Sequence, residues 1–248
     1  MAVAAPERDT DADWRELGRS EPYWAVISHP DFRSENLTPE GIETFYRSGR
    51  EYIADTVAGL ERATGARPSG GRALDFGCGV GRLAEAMTDY AHAVVGLDVS
   101  PGMLELARGR NGKATYAHTL PDGHFDWINS FIVLQHIEPV RGMAILDELL
   151  SRLAPGGFVS LQLTIGREAR DDFPLHKGLR SVFNAHRRRR WVSSFEPGII
   201  LMYDYDLSAV VRLLDQAGVA EMSLVATDHD GHHGVIILGR KAQQHPTA

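Results

Sequence analysis

From Arg72 onward, short apolar runs alternate with stretches of helical spacing. The runs predict strands at 72–76 (RALDF), 93–98 (AVVGLD), 125–131 (FDWINSF) and 157–165 (GFVSLQLTI), with a weaker one at 114–118. Helical spacing falls at 82–90, 101–109 and 139–153, the last stopped by Pro155-Gly156-Gly157. A further helix is predicted at 206–217 (DLSAVVRLLDQA), ended by Gly218. Two strands, 220–227 and 233–240, then follow, and their connection DHDGHH suits a hairpin. Strands alternating with helices in this way predict a largely parallel sheet covered on both faces.

The flanks of this pattern differ from it. Residues 1–10 are small, polar and charged and read as disordered. From Asp11 to Thr64 the spacing is helical, with breaks at Pro22, Pro30 and Pro39. Thr38-Pro39-Glu40 places a capping residue before a proline suited to a first helical turn. Ile42, Phe45, Tyr46, Gly49, Tyr52, Ile53, Val57 and Leu60 then recur on one helical face. GARPSGG (65–71) reads as a linker. The division predicted is an N-terminal helical cap and linker over 1–70 and a core over 71–248, with an insertion at about 166–200 rich in Arg, His, Phe and Pro.

Candidate chemistry begins at ALDFGCGVGR, 73–82. A strand ends at Asp75-Phe76, Gly77, Gly79 and Gly81 form a turn, and a helix starts near Arg82. Glycine lets the backbone turn sharply and approach a ligand, and the turn leaves free amides at a helix N-terminus. Seventeen residues beyond Gly81, at the tip of the second strand, stands Asp98. A carboxylate there can accept hydrogen bonds from both ribose hydroxyls of an adenosine. The spacing is not that of a dinucleotide site, which would need glycine in place of Arg82, and no phosphate-binding G-x-x-x-x-G-K-S/T loop is present.

ALDFGCGVGR resembles the first motif of class I S-adenosylmethionine-dependent methyltransferases, and VVGLDVSPGML (94–104) resembles the segment carrying their ribose-binding acid. HFDWINSFIVLQHI (124–137) is similar to their fourth strand and following loop, and LLSRLAPGGFVSLQL (149–163) to the entry of their fifth strand. The resemblance spans 73–163 in order. It implies a Rossmann-like, doubly wound α/β fold with a mostly parallel seven-stranded sheet and an antiparallel last strand. It also implies S-adenosyl-L-methionine as cofactor and S-adenosyl-L-homocysteine as product.

By the same resemblance, Gly77, Cys78, Gly79, Gly81 and Arg82 would line the methionine and ribose portion. Asp75 would hold the turn or engage the amino group. Asp98 would take the ribose hydroxyls, Val99 and Met103 would flank the adenine, and Ser130, Phe131 and Ile132 would pass near the methionine end. Where the family often has an acid for the adenine amino group, this chain has His118 and Thr119. Recognition there would rest on backbone atoms around His118 to Leu120.

Other residues carry two readings each. Gln135 and His136 follow the fourth strand and are candidates for the substrate pocket; His136 is either a general base for the acceptor or a structural histidine that positions the loop. Tyr23, Trp24, Phe45 and Tyr46 either line a lid over the pocket or form the buried face of the N-terminal helices. Cys78 reads as a packing residue. Asp228, His229, Asp230, His232 and His233 resemble a metal cluster in composition but read as a solvated hairpin tip, so no metal is expected. Arg187–Arg190 are a solvated helix face or a clamp for an anionic acceptor.

Bulk properties narrow the rest. The 248 residues carry a formal charge of -7, 43% hydrophobic and 24% charged residues, as in ordinary soluble domains. An acidic chain disfavours an extended nucleic-acid surface. Positions 129–132 read NSFI rather than the N/D-P-P-Y of enzymes acting on DNA-base amines, and the single cysteine, Cys78, excludes a cytosine-C5 nucleophile beyond the fourth strand. No DNA partner is expected. With no secretory pattern at the N-terminus, no apolar run of membrane-spanning length and one cysteine, a cytoplasmic protein without a membrane partner is expected. The leading function is O- or N-methylation of a small molecule, such as a sugar or an intermediate of secondary metabolism. The alternatives are a protein or RNA methyltransferase and a non-catalytic cofactor-binding sensor or scaffold. Oligomeric state stays open, a homodimer included.

Overall fold

The computed structural model describes residues 9–167, 200–229 and 231–243. Helices α1 (Thr10–Ser20) and α2 (Pro22–Val26) lead through a 3₁₀ turn at Pro30–Phe32 into the long α3 (Pro39–Thr64). Then follow β1 (Arg72–Phe76), α4 (Arg82–Met87), β2 (Ala93–Leu97), α5 (Pro101–Gly109), β3 (Thr115–Ala117) and β4 (Phe125–Ser130). A 3₁₀ turn at Leu134–His136 precedes α6 (Pro139–Ser151) and β5 (Leu153–Arg167). The chain closes with α7 (Leu207–Gln216), β6 (Val219–His229) and β7 (His232–Lys241).

The seven strands lie in the order β3-β2-β1-β4-β5-β7-β6. Neighbours from β3 to β5 are parallel, and β7 runs antiparallel to both β5 and β6. This is the predicted doubly wound sheet with its reversed last strand. Order reverses between β1 and β4, and the carboxyl ends of the strands open a crevice there, the usual ligand position in such sheets.

Side chains alternate between two cores, as period-2 strands require. On one face Leu74, Ile128, Val159 and Leu161 pack with Leu146 and Leu150 of α6 and with Val210 and Leu214 of α7. On the other, Ala73, Trp127, Phe158 and Leu238 pack with Ile53, Val57 and Leu60 of α3 and with Leu83 and Met87 of α4. A third cluster joins Leu17, Ala25, Phe45, Tyr46, Val80 and Met103, and seats the N-terminal helices on the glycine turn. Of residues 1–70, then, α3 lies against the sheet while α1 and α2 cover its carboxyl edge.

Several boundaries differ from the sequence reading. Asp9 and Thr10 are ordered: α1 starts at Thr10 because the Asp9 carboxylate accepts from the Ala12 amide at 3.1 Å. α4 stops at Met87 rather than residue 90, where Thr88 folds back to bond the Glu85 carbonyl. β5 begins at Leu153, which pairs with Phe125, and a register shift before Trp127↔Phe158 absorbs Pro155-Gly156-Gly157. The predicted insertion lies mostly, and Arg187–Arg190 wholly, outside the described residues. Among the described residues no helix is long and apolar enough to cross a membrane.

The α3–α4 contact is backbone against backbone. A Cβ at Gly49 would lie 2.5 Å from the Arg82 carbonyl oxygen, whereas one at Gly109 would meet nothing within 4 Å. Gly49→Ala should therefore cost about 1–3 kcal/mol through overpacking. Gly109→Ala should be neutral or gain up to about 1 kcal/mol of helix propensity. Paired urea denaturation curves check this, and equal midpoints for the two variants would contradict it.

Candidate functional site

β1 ends at Phe76, and the chain turns through Gly77, Gly79 and Gly81 with φ of 75°, 53° and 83°. The turn is crowded as well as left-handed. A Cβ at Gly77 would run into the Val133 side chain, one at Gly79 would sit 2.7 Å from Val26 Cγ2, and one at Gly81 would strike the Tyr116 hydroxyl. The turn is pinned to the end of β2: the Gly77 and Cys78 amides donate to the Leu97 carbonyl at 2.7 and 3.1 Å. Gly79 N donates to Asp98 Oδ2 and Ser100 N to Asp98 Oδ1, each at 2.8 Å. The Asp98 carboxylate is thus oriented, and each oxygen keeps a lone pair for a further donor. Burial pushes its pKa up, against the pull of these amide bonds.

Asp75 sits at the matching height on β1, 2% exposed. Its Oδ1 accepts from Asn129 Nδ2 at 2.8 Å. Asn129 Oδ1 accepts from Ser160 Oγ at 2.6 Å, and Ser160 Oγ accepts from Trp127 Nε1 at 2.9 Å. The chain crosses β1, β4 and β5 on one face, through residues in direct register. It leaves Asp75 Oδ2 buried with no partner. Burial lifts this carboxyl to about 7, against the hydrogen bond from Asn129, the nearby Arg82 charge and the pull of the Ala84 amide at the start of α4. Arg82 is also buried, with Nε unpartnered, and burial lowers its pKa. A carboxylate and a guanidinium with unmet bonds beside one turn suit a zwitterionic amino-acid group.

These groups open onto a cavity of about 400 Å³. Of the residues expected at the cofactor, Asp75, Gly77, Cys78, Gly79, Arg82, Asp98, Val99, Met103, His118, Phe131 and Ile132 line it. The others do not. Gly81 caps α4 and faces Tyr116. Thr119 is exposed and Leu120 packs on the core below the sheet edge. Ser130 is buried within β4. Cys78 is buried and its thiol pKa is raised by that burial, so it stays a thiol, as a packing residue should.

Tyr23, Trp24, Phe45 and Tyr46 also lie away from the lining. Phe45 packs edge-on against Tyr23 and Tyr46, the Tyr46 hydroxyl donates to the Val80 carbonyl, and Arg33 stacks on Trp24. The α1 residues Thr10, Asp11, Trp14 and Arg15 line the cavity instead, opposite Ile137, Arg141 and Ile145. Asp11 holds Arg141 through two bonds of 2.8 and 2.7 Å. Asp11, Trp14 and Arg15 share a helical face by their spacing, but nothing local in the sequence says which face meets the sheet edge.

His136 lines the cavity and packs against Trp14 at a tilt of 56°, with ring centroids 5.0 Å apart. Both its nitrogens are engaged: Nδ1 lies 2.7 Å from the Leu201 carbonyl and Nε2 lies 3.3 Å from Gln135 Nε2. Burial lowers its pKa to about 4. Gln135 is buried behind it and does not reach the cavity. Among the described residues no group of three or more His, Cys, Asp or Glu is placed to hold a metal; Asp230 lies outside them.

Known proteins resemble this chain in sequence and in fold. A family model described as a methyltransferase domain matches residues 46–221. The mitochondrial ubiquinone biosynthesis O-methyltransferase of Schizosaccharomyces pombe is 33% identical over 111 residues, 40% of this chain and 39% of that protein. The malonyl-[acyl-carrier protein] O-methyltransferase of Serratia marcescens is 32% identical over 128 residues, 46% of this chain and 49% of that protein. The chain thus spans less than half the length of these relatives. Magnesium protoporphyrin IX methyltransferase from Synechocystis PCC 6803, solved with bound S-adenosylhomocysteine, superimposes with a TM-score of 0.62 at 17% identity, covering 94% of this chain and 100% of that one. With most of the sheet and its glycine turn inside the matched span, the chain belongs to the methyltransferase-domain family.

Proposed function

We propose that the protein transfers the methyl group of S-adenosylmethionine to a small-molecule acceptor. The observation that carries this reading is the pairing, in one cavity, of the Asp98 carboxylate with the buried Asp75 Oδ2 that has no partner. Asp98 would accept from the ribose hydroxyls, and Asp75 and Arg82 would take the ammonium and carboxylate of the methionine portion. Val99, Met103 and His118 would border the adenine, and the bare turn of Gly77 and Gly79 leaves room for the nucleoside. Phe131 and Ile132 would stand near the methyl group. Bound there, the cofactor supplies a methyl group on a positively charged sulfur, already activated for in-line displacement.

The chain's own task is then to orient the acceptor and exclude water. Trp14, Ile137 and Ile145 give the cavity an apolar wall, and α1 covers it. A volume of about 400 Å³ falls in the range of small-molecule pockets, and the covering helix disfavours a macromolecular acceptor. The name of the Schizosaccharomyces pombe relative, an O-methyltransferase of ubiquinone biosynthesis, supports the same class, whereas the Serratia marcescens relative is named for a malonyl group on a carrier protein.

Incubation with methyl-labelled cofactor tests the reading directly. Label should pass to members of a small-metabolite panel; label found only on protein or RNA would refute it. Asp98→Ala should weaken S-adenosylhomocysteine binding by about 1.5–3 kcal/mol, the scale for hydrogen bonds to a charged group. Calorimetry on a variant with unchanged melting would read that loss.

Asp75 gives a pH dependence. Its carboxyl is raised to about 7 in the folded chain, so its contribution to stability is present at low pH and lost as pH rises through about 7. Binding of the cofactor's ammonium goes the other way, because it needs the ionised form. Affinity should rise about tenfold per pH unit up to about pH 7 and then level off. Asp75→Asn should flatten that slope; a wild-type affinity independent of pH between 5 and 8 would count against the role.

A further inference from the structure

One side of the β4–α6 loop is held by a hydrogen-bond chain whose polarity is fixed at both ends. At the first end the Ile132 amide, a donor only, gives its proton to Gln162 Oε1 at 2.9 Å. Gln162 must then present its amide nitrogen onward, to Gln135 Oε1 at 3.2 Å, where Thr164 Oγ1 also donates at 3.1 Å. That leaves Gln135 Nε2 as the donor facing His136 Nε2. At the far end the Leu201 carbonyl, an acceptor only, faces His136 Nδ1. The two ends agree on one solution: Nε2 is bare and Nδ1 carries the proton. Protonating Nε2 would set two N–H groups against each other.

We propose that Gln135 is a positioning residue that holds His136 in the neutral Nδ1–H tautomer, so that the ring is a fixed wall of the acceptor cavity and not the acceptor's proton sink. Gln162 and Gln135 are 0% and 3% exposed, so water cannot substitute for either partner without opening the core. The chain also anchors Ile132, whose φ of 57° is unusual for a β-branched residue and which lines the same cavity. Further, it ties the loop to the segment after residue 200, where the Tyr203 amide donates to the Gln135 carbonyl at 2.7 Å. An acceptor hydroxyl or amine reaching for Nε2 would have to displace Gln135 and strand its amide. An acceptor that must lose a proton would then give it to a group other than His136 Nε2. The charged groups around the ring are Asp13 of α1 in the adjoining cleft, the Asp11–Arg141 pair and Arg15 along the cavity, and His232 of β7, whose charge would lower the pKa of His136.

The acceptor rests on the proposed function; the tautomer rests on the hydrogen bonds alone. Nitrogen-15 NMR of the full chain should show His136 with a protonated Nδ1 and a bare Nε2, without titration between pH 5.5 and 8. Gln135→Glu replaces the donor with a carboxylate that would stabilise a proton on Nε2. It should move the His136 titration upward by about 1–3 pH units. Gln135→Leu removes the donor to Nε2 while the Leu201 carbonyl still holds Nδ1–H, so Nε2 should take up a proton more readily and the titration should move upward. A wild-type ring protonated at Nε2, or one titrating near the ordinary histidine value, would overturn the proposal. So would a well-folded Gln135→Glu variant with an unmoved titration; if that variant does not fold, the wild-type tautomer decides alone. Failure of S-adenosylhomocysteine to bind wild-type protein would sink the cofactor assignment and leave the tautomer result standing.

Discussion

The site depends on one constraint: the chain must reverse at the end of β1 while staying in contact with the end of β2. Gly77 and Cys78 donate to Leu97 and Gly79 donates to Asp98, so the turn and the acid are two halves of one hydrogen-bonded unit. Side chains are shut out by φ above zero and by Val133, Val26 and Tyr116 pressing on the turn. The same packing that forbids a Cβ keeps the backbone bare for a ligand. Asp98 has a structural duty of its own, holding the Gly79 and Ser100 amides, which is why its geometry is already set.

A second device lies on the sheet face under α3. There the inward positions of β1, β4 and β5 change from apolar to polar toward the carboxyl edge: Ala73 to Asp75, Trp127 to Asn129, Phe158 to Ser160, Gln162 and Thr164. All five polar residues are 0–2% exposed. Buried polar groups are tolerable where their bonds are made, and most of these are. The exception, Asp75 Oδ2, opens onto the cavity. Adjacent positions on one face thus serve two ends: the Asn129–Ser160–Trp127 chain aims the acid, and the Gln162–Thr164–Gln135 chain holds the loop with Ile132 and His136.

The cavity is completed from far away in sequence. α1 lies across the carboxyl edge, held by Asp11 on Arg141 and by Trp14 on His136. The ion pair is partly exposed and contributes little by itself; the third apolar cluster does more to seat the N-terminal helices.

Much of the fold was legible because periodicity reports it directly. Period-2 and period-3.6 patterns are local consequences of backbone geometry, so the strand and helix order could be read, and the glycine turn with Asp98 marked the crevice. The polar alternation in FVSLQLTI was less transparent, since Ser160, Gln162 and Thr164 look like a solvent-facing row. Burial by α3 and hydrogen bonding across strands make them a network, and both are non-local. Tyr23, Trp24, Phe45 and Tyr46 pack on one another while Thr10, Asp11, Trp14 and Arg15 reach the cavity, a choice set by how α1 docks. By itself the sequence determined the succession of strands and helices along the chain, the turn and its acid, because each is written in neighbouring residues. Which helix face roofs the cavity, and which nitrogen of His136 bears a proton, were decided only by the tertiary structure, because those outcomes rest on partners up to more than a hundred residues away.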